Sequence, residues 1–367
     1  MVENMRILII STTNYFSPFK VGSYHIYNEL KELGHDTYFL NCPISPLLLF
    51  SGSYNRIIAR LKGITYGLPF VYSINLIPLR FAQKIGLKFL AKPFIVNKKI
   101  AKKTYDLIVI DSYEWLPWLR YFKSKKYIYR PTDIYSNAVP DILDIEKTYV
   151  RAYNIPVIVC SENSEIFYKK YNFSVILRIA NGVSSTIFRS KEEVLYLIEE
   201  KRRFKRYKAV YIGSLDDRVD YKWLNWFSSY YKIEVDIYSP PSQNLSYLNL
   251  GKNKFINYKG LVKLSEILKV SGKYSIGLLP FNGSPKNQSR SPMKQYEYLA
   301  LGLTVISSSQ NFCKCINTYY LNPHSKQSLS SVISLSHTIC SKAIVKDIER
   351  NTWSKIVQKI LNTVLNG

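Results

Sequence analysis

The chain contains two consecutive series of short apolar segments, and in each series the segments alternate with helical patterns. Polar residues bound each segment, as in the buried strands of a parallel sheet. The first series comprises "MRILII", "DTYFL", "YDLIVID" (105–111), "KYIYR" (126–130) and "PVIVCS" (156–161), and the second comprises "AVYIGSL" (209–215), "IEVDIYS", "FINYKG", "YSIGLLPF" and "TVISSS". Strand–helix alternation predicts doubly wound α/β sheets, so the sequence predicts two Rossmann-like domains that face a cleft.

The boundary between the two series is marked by a change in composition. A chain of 367 residues is too long for one ordinary core and suits two domains. The first series ends in the turn-rich "ANGVSSTIF" (180–188), and the charged "KEEVLYLIEEKRRFKRYK" follows it. The pattern therefore predicts an N-terminal domain over 1–187, a second domain over 188–345, and a C-terminal helix in 346–367 that packs back toward the first domain.

The charge balance is strongly basic, with a formal net charge of +25 and a pI of about 9.6. Such a balance suits a nucleic acid, an anionic membrane surface or a phosphorylated substrate. The window 37–105 contains no Asp or Glu. Its basic residues are Arg56, Arg60, Lys62, Arg80, Lys84, Lys88, Lys92, Lys98, Lys99, Lys102 and Lys103.

Apolar runs lie between these cations, namely "SPLLLF" and "GITYGLPFVYSINLIPL" (63–79). Gly, Pro, Asn and Ser interrupt the runs, so neither predicts a membrane-spanning helix. Alternating basic and apolar stretches are typical of a surface in the lipid headgroup region, which makes an anionic membrane the expected partner of 37–105. A solvated basic face is the alternative. No nucleic-acid-binding module is visible, so a nucleic-acid partner is not expected.

Cysteine usage and the N-terminus indicate the compartment. Five cysteines without framework spacing are typical of reduced thiols in a cytosol. In "MVENMRILIIST" an acidic residue precedes an apolar run that is too short for a signal peptide. We therefore expect a cytoplasmic protein, peripheral on the inner face of the cell membrane. The four histidines show no metal-ligand spacing, and no metal or other cofactor is expected.

The segment "RSPMKQYEYLALGLTV" (290–305) predicts a sharply bounded helix. Ser291 suits the N-cap, Pro292 suits the first helical position, and Gly302 suits the C′ position. The free N–H groups and the positive end of the helix dipole favour an anion in front of the first turn. Arg290 and Lys294 add positive charge in the same place, so the segment predicts an anion site.

Glu297 shares a helix face with Met293 and Ala300, at positions i, i+4 and i+7. A carboxylate beside a phosphate is repulsive unless it accepts hydrogen bonds from a sugar hydroxyl. A nucleotide meets both demands, with its diphosphate on the helix end and Lys294, and its ribose hydroxyls on Glu297. The alternative is an ordinary capped helix with Glu297 at the rim of a domain.

"SPMKQYEYLALGLTVI" resembles the nucleotide-sugar segment of GT-B glycosyltransferases, in which a Pro–x–Lys start and a later Glu hold the nucleoside diphosphate. Further segments resemble the family in its own order: "GSYHIYNELKELGHD", "IANGVSSTIF", "YIGSLDDRVDYKWL", "INYKGLVKLSEIL", "YSIGLLPF" and "TWSKIVQKIL". The resemblance implies a GT-B fold and transfer of a sugar from a nucleotide diphosphate sugar without a bound metal. It favours uridine as the nucleoside and leaves guanosine open.

Ser289 stands eight positions before Glu297, where the largest group of retaining enzymes of this superfamily carries a second glutamate. "SPMK" and "YRPTD" are more similar to the inverting glucuronosyltransferase of xanthan assembly, a monotopic enzyme that acts on a lipid-linked glycan. This likeness implies an inverting transferase with a lipid-linked or glycan acceptor. The alternatives are a retaining GT-B transferase and a non-catalytic nucleotide-sugar or glycan-binding subunit.

An inverting transfer needs a base that takes the proton of the acceptor hydroxyl. Asp133 in "KYIYRPTDIYS" follows a predicted strand in the half expected to bind the acceptor, and it matches the inverting family's aspartate in type and setting. Asp111 and Glu114 in "VIDSYEW" are the competing candidates, and an Asx turn or helix cap is the structural alternative for Asp133. Gly22 and Ser23 begin a predicted helix that ends at Gly34, and we expect them on the acceptor side.

Further residues of the second half are candidates for the donor site. Gly213 and Ser214 end a predicted strand, where a glycine lets the backbone approach a phosphate. Arg218 in "DDRVD" is placed to reach the diphosphate, or alternatively to pair with a neighbouring aspartate. Tyr258 in "INYKGL" corresponds to a segment that flanks the nucleobase in the family.

Overall fold

The computed structural model describes residues 4–17, 20–45, 58, 69–71, 73–77, 79–84, 86, 91–95, 98–137, 141–263, 266–312, 315–324 and 327–366. The Cα positions divide into two compact units, Met1–Ile179 with Ile360–Gly367, and Ala180–Lys359. Part of the window assigned to a membrane surface, 46–57 and 59–68, lies outside the described residues together with Lys88. In the described part of the chain, no helix has both the length and the apolar character needed to cross a membrane.

Within the described residues, the first unit is built on a seven-stranded parallel sheet. The strands are β1 (Arg6–Ile10), β2 (Asp36–Leu40), β3 (Phe70–Val71), β6 (Thr104–Ile110), β7 (Lys123–Tyr129), β8 (Val157–Val159) and β9 (Val175–Arg178), and β4 (Ser73–Ile74) with β5 (Phe94–Ile95) forms a separate antiparallel pair. The order across the sheet is β3-β2-β1-β6-β7-β8-β9. The central strands are almost fully buried because helices cover both faces of such a sheet.

The helices of the first unit connect these strands. Where the structure describes the chain, they are α1 (Gly22–Glu32), α2 (Leu79–Lys84), α3 (Lys98–Ala101), α4 (Ile142–Glu146) and α5 (Glu162–Lys170), with 3₁₀ helices at Tyr113–Tyr121 and Tyr135–Asn137 and a π-helical turn at Lys147–Arg151. Helix α1 begins at Gly22, and Gly34 follows it with a φ of 87°. Both features agree with the sequence.

The second unit contains, among the described residues, a six-stranded parallel sheet. Its strands are β10 (Ala209–Ile212), β11 (Val235–Tyr238), β12 (Ile256–Gly260), β13 (Ile276–Leu279), β14 (Thr304–Ser307) and β15 (Thr318–Tyr320), in the order β12-β11-β10-β13-β14-β15. Its helices are α6 (Lys191–Arg202), α7 (Tyr221–Tyr231), α8 (Ile267–Ser271), α9 (Pro285–Gln288), α10 (Met293–Ala300), α11 (Leu329–Thr338) and α12 (Ser341–Arg350). Helix α13 (Trp353–Asn366) starts in this unit, and its residues from Ile360 onward belong to the first.

Both sheets have the strand order of a Rossmann fold, in which the chain starts at the centre, builds one half and then returns to build the other. The direction of winding changes between β1 and β6 in the first unit and between β10 and β13 in the second. Ligands of such sheets bind beyond the carboxyl ends of the strands at this switch point. The predicted α/β class with two Rossmann-like domains is confirmed, and the fold identifies where each unit offers a site.

Candidate functional site

The switch point of the first unit brings together several predicted acceptor-side residues. Ser11 directly follows β1, Asp111 directly follows β6, and Ser23 lies in the first turn of α1. The Ser11 and Ser23 hydroxyl oxygens are 2.7 Å apart, and the Ser23 hydroxyl lowers the pKa of Asp111 by hydrogen bonding. Gly22 precedes Ser23 in the same buried turn, and no acidic residue occupies that turn.

Asp111 is 2% exposed, and within the described part of the chain its Oδ2 atom has no partner at hydrogen-bonding distance and angle. Burial raises the pKa of its carboxyl to about 6, although the Tyr135 hydroxyl and the charge of Arg130 act in the opposite direction. The Tyr135 hydroxyl donates to Oδ1 of Asp111 at 2.8 Å. The negative charge of Asp133 contributes to the increase, so Asp133 lies within electrostatic range of Asp111.

Asp133 is half-buried and lies in the turn between β7 and the 3₁₀ helix Tyr135–Asn137. The other competing candidate, Glu114, is also half-buried and lies in the first turn of the 3₁₀ helix Tyr113–Tyr121. Sequence reasoning missed Tyr135 and the almost fully buried Arg130, although "YRPTDIY" contains both. Their place directly after a strand end was the available signal.

The switch point of the second unit presents backbone groups and cations that pair with acids. Gly213 and Ser214 follow β10, and the Tyr211 hydroxyl donates to the Ser214 carbonyl at 2.8 Å. A Cβ atom on Gly213 would come within 2.8 Å of the Tyr211 hydroxyl oxygen. Glycine at 213 therefore has a packing reason as well as the predicted functional one.

Arg218 is bound to Asp216, two residues earlier in the loop after β10. Its Nε donates to the two carboxylate oxygens of Asp216 at 3.0 and 3.1 Å. Burial raises the pKa of Asp216, but the hydrogen bond and charge of Arg218 and the charge of Arg290 outweigh burial, and the pKa is lowered. The arginine pairing left open by the sequence is thus with Asp216, whereas Asp220 caps α7 by accepting from the Trp223 N–H at 2.9 Å.

Arg290 reaches the same loop from the other side of the switch point. Its guanidinium carbon lies 5.3 Å from the centre of the Phe281 ring, which follows β13. Burial raises the pKa of Tyr211, and the positive charge of Arg290 opposes this increase. Arg218 and Arg290 therefore act on one small region at the carboxyl ends of β10 and β13.

Helix α10 begins one residue later than the sequence predicts, because Ser291 makes a different contact. Pro292 is the N-cap and provides no side-chain cap, while the Ser291 hydroxyl accepts from the Asn181 backbone N–H at 2.9 Å. The Asn181 side chain in turn donates to the Ser291 carbonyl at 2.9 Å. The prediction of Ser291 as N-cap is wrong, and the first-turn N–H groups of α10 have no side-chain acceptor at the cap.

Two buried side chains fix α10 against the sheet. The Tyr298 hydroxyl accepts from the Ile212 N–H at 2.8 Å, and the Gln295 amide donates to the Phe312 carbonyl at 2.6 Å. Gly302 ends the helix with a φ of 75°, as predicted, and a Cβ atom there would lie 2.6 Å from the Leu197 backbone. The helix is therefore rigidly placed.

The charged residues of α10 pair with each other. The Lys294 ammonium group contacts the Glu297 carboxylate, whose side chain is 7% exposed. Met293 is the half-buried first residue of α10. Tyr258 lies in β12, where its hydroxyl donates to the Ser239 carbonyl at 2.8 Å. Among the described residues, no group of three or more His, Cys, Asp or Glu side chains is placed to hold a metal ion.

Comparison with solved structures assigns the fold. The chain is similar to a glycosyltransferase from Rickettsia africae (13% identity, TM-score 0.62, 99% of this chain and 98% of that one). It is also similar to the Anabaena protein HepE in complex with UDP-glucose (12%, 0.62, 99% and 100%) and to sucrose-phosphate synthase from Thermosynechococcus elongatus (14%, 0.59, 99% and 97%). No family model and no curated protein sequence matches the chain. The fold is GT-B.

Proposed function

We propose that this protein is a glycosyltransferase that takes a sugar from a nucleoside diphosphate sugar. The observation that carries the proposal is the set of cations at one switch point, Arg218, Arg290 and Lys294, beside the uncapped N-terminus of α10. Cations and free N–H groups at a helix start suit a diphosphate. A UDP-sugar is the proposed donor, and the UDP-glucose held by HepE, which has the same fold, supports it.

The proposed reaction inverts the anomeric carbon. The oxygen of an acceptor hydroxyl attacks C1 of the sugar, and the bond from C1 to the diphosphate oxygen breaks with its electron pair leaving on UDP. The hydroxyl proton passes to the Asp133 carboxylate, which is half-buried and follows the end of β7. Lys294 and the N-terminus of α10 neutralise the charge on UDP, so the proposal requires no metal.

The proposed acceptor is a lipid-linked glycan at the cytoplasmic face of the membrane, with the protein held there through the basic window 37–105. The window has no acidic residue, and anionic lipids attract such a segment. Sedimentation with phosphatidylglycerol vesicles tests this part. Binding that weakens as salt is raised is expected. Absence of binding at low salt would refute the membrane partner and leave the transfer reaction untouched.

A thermal-shift panel of UDP, GDP, ADP and their sugar conjugates tests the donor site. A ligand that binds only the folded state stabilises it by about 2.7 kcal/mol at 100 times its Kd. We expect UDP compounds to raise the Tm of the wild type, in EDTA as in Mg²⁺, and Lys294→Ala to abolish most of the shift. The double variant K294A/E297Q serves as a second test, because it leaves no unpaired buried carboxylate.

Lys286→Ala is the matched control, because Lys286 belongs to the same unit and pairs with the exposed Asp217 at 2.5 Å. It should retain the full shift. If no nucleotide shifts the Tm of the wild type, the proposed donor site is wrong. The anomeric configuration of the product, read by NMR, separates inversion from retention.

A further inference from the structure

The turn that carries Asp133 is fastened to the neighbouring strand ends by side chains. The Tyr135 hydroxyl lies 3.2 Å from the Thr132 hydroxyl and accepts from the Thr132 N–H at 3.4 Å, so it bridges the two sides of the turn. The same hydroxyl donates to the Asp111 carbonyl at 2.7 Å and to Asp111 Oδ1 at 2.8 Å. From the other side, the Cys160 thiol donates to the Thr132 carbonyl at 3.1 Å.

Asp111 is a rigid anchor for this turn. Its backbone N–H donates to the Ile10 carbonyl at 2.7 Å, and the Arg130 N–H donates to the Ile110 carbonyl at 2.7 Å. These bonds join the ends of β1, β6 and β7 at the switch point. The Tyr135 ring also packs against the Tyr113 ring, with 5.2 Å between ring centres. A displacement of Asp111 would therefore require the ends of three strands to move.

Burial separates the roles of the two aspartates. Asp111 is 2% exposed and cannot be approached by the hydroxyl of a glycan without movement of the strand ends, whereas Asp133 is half-buried. The negative charge of Asp133 adds to the increase that burial causes in the pKa of Asp111, Tyr135 and Cys160. Asp133 is therefore within electrostatic range of all three side chains. It lies close to the anchor and is more exposed than Asp111.

We propose that Asp111 and Tyr135 are positioning residues, which clamp the turn 132–135 so that the Asp133 carboxylate is held at the acceptor hydroxyl. This inference rests on the proposed function, in which Asp133 is the base. A misplacement of about 1 Å at a reacting group lowers the rate on the order of 10²-fold. Loss of the clamp should therefore reduce kcat and leave donor binding intact, because the donor residues belong to the other unit.

The test compares Tyr135→Phe, Asp111→Asn and Asp111→Leu, using release of UDP from UDP-glucose with water as the acceptor. Tyr135→Phe and Asp111→Leu are expected to lower kcat about 10- to 100-fold with the KM for UDP-glucose within about twofold of the wild type. Asp111→Asn keeps an oxygen acceptor for the Tyr135 hydroxyl and should recover most of kcat. Tyr127→Phe is the matched control, since it removes a hydroxyl bond of 2.8 Å to the Phe122 carbonyl in the same unit.

Amide hydrogen exchange of 131–137 provides a readout that does not depend on turnover. Exchange should be faster in Tyr135→Phe than in Tyr127→Phe. Unchanged exchange, or a rise in KM with unchanged kcat, would overturn the inference even if Asp133→Asn is inactive. If Asp133→Asn releases UDP as fast as the wild type, the assignment of Asp133 as the base is wrong. Full activity of Tyr135→Phe with an inactive Asp133→Asn would instead refute only the positioning role of Tyr135.

Discussion

Asp111 in the first unit and Asp216 in the second both lie at the switch point of their sheet, but their surroundings differ in chemistry. Asp111 receives a hydrogen bond from the Tyr135 hydroxyl, and burial raises its pKa to about 6. Asp216 is bound by the Arg218 guanidinium, which with Arg290 outweighs the effect of burial and lowers its pKa. The same strand order therefore supports a buried carboxyl with a raised pKa in one unit and an ion-paired carboxylate with a lowered pKa in the other.

The same contrast recurs in the cores, where Glu146 and Asp236 are each 0% exposed. Hydroxyls of Tyr129 and Tyr168 donate to Glu146 at 2.6 and 2.7 Å, and burial raises its pKa to about 7. Asp236 has the Tyr274 hydroxyl at 2.6 Å and three lysines within 4.0 Å, and these outweigh burial and lower its pKa. In these cores, the carboxyl that faces hydroxyls has a raised pKa, whereas the carboxyl that faces cations has a lowered pKa.

The largest expected effect concerns the proton-accepting side of this comparison. Asp133→Asn removes the proposed base but keeps the shape of the side chain, and a positioned base contributes about 10²- to 10⁴-fold. We expect kcat for UDP release from UDP-glucose to fall by that order, with the Kd for UDP within about twofold of the wild type. Rapid-quench turnover and calorimetric UDP binding measure the two quantities separately.

Asp144→Asn is a suitable control, because Asp144 is exposed and lies in α4 of the same unit. It should leave kcat unchanged. A loss of UDP affinity in Asp133→Asn equal to its loss of kcat would mean that the two units do not divide the chemistry as proposed.

Glu146→Gln sharpens the comparison of the cores. The folded pKa of about 7 lies above the ordinary value of 4.5, so folding takes up a proton and stability falls as pH rises from 4.5 to 7. Glutamine cannot ionise, and the variant should be more stable than the wild type by about 2 kcal/mol at pH 8, with little gain at pH 4.5. Urea unfolding at pH 4.5 and pH 8, followed by hydrogen exchange of the amides in β7, measures the free energy of unfolding of the first unit by itself.

Asp236→Asn provides the opposite case. Its carboxylate has a lowered pKa in the folded state, so it stabilises above pH 3.8 and loses that contribution as pH falls. The asparagine variant should be less stable than the wild type by about 1–2 kcal/mol at pH 7, and the deficit should shrink in acid. For Glu146→Gln, a change in the free energy of unfolding that is equal at pH 4.5 and pH 8 would show that the Glu146 carboxyl does not ionise between these pH values.

The sequence predicted the central strands because burial on both faces leaves continuous apolar runs, such as "RILII" in β1 and "AVYI" in β10. It missed β3, β4, β5, β9 and β15, which contain between two and four residues. Strand β9 lies at the sheet edge and alternates between half-buried and exposed residues, so no continuous apolar run marks it. Short edge strands depend on their neighbours more than on their own composition.

The site was predictable where a residue acts through its local backbone. Gly302 ends α10 with a positive φ, as a C′ glycine does. Ser291 was not predictable, because its partner Asn181 is 110 residues away and becomes a neighbour only in the folded chain. Leu33, which helical periodicity places on the buried face of α1, is the C-cap residue of the helix and is 44% exposed.

Arg290→Gln tests the anion-binding side and has the smallest expected effect. Arg290 lies over the Phe281 ring and acts on Asp216 through its charge, while Arg218 and Lys294 remain in place. An ion pair of a partly exposed side chain contributes about 0.2–1 kcal/mol, so the Kd for UDP should rise by up to about fivefold. The dependence of this Kd on salt should also weaken, because one of the three cations of the proposed donor site is gone.

Arg203→Gln is the control for this variant, because Arg203 is exposed and follows α6 in the same unit. Calorimetric titration of UDP at low and high salt should give wild-type values for it. If both arginine variants bind UDP equally well with the same salt dependence, the positive charge at the ends of β10 and β13 does not select the diphosphate. The second unit would then hold its ion pairs for stability alone, as the lysines around Asp236 do, and the contrast between the units would concern folding rather than chemistry.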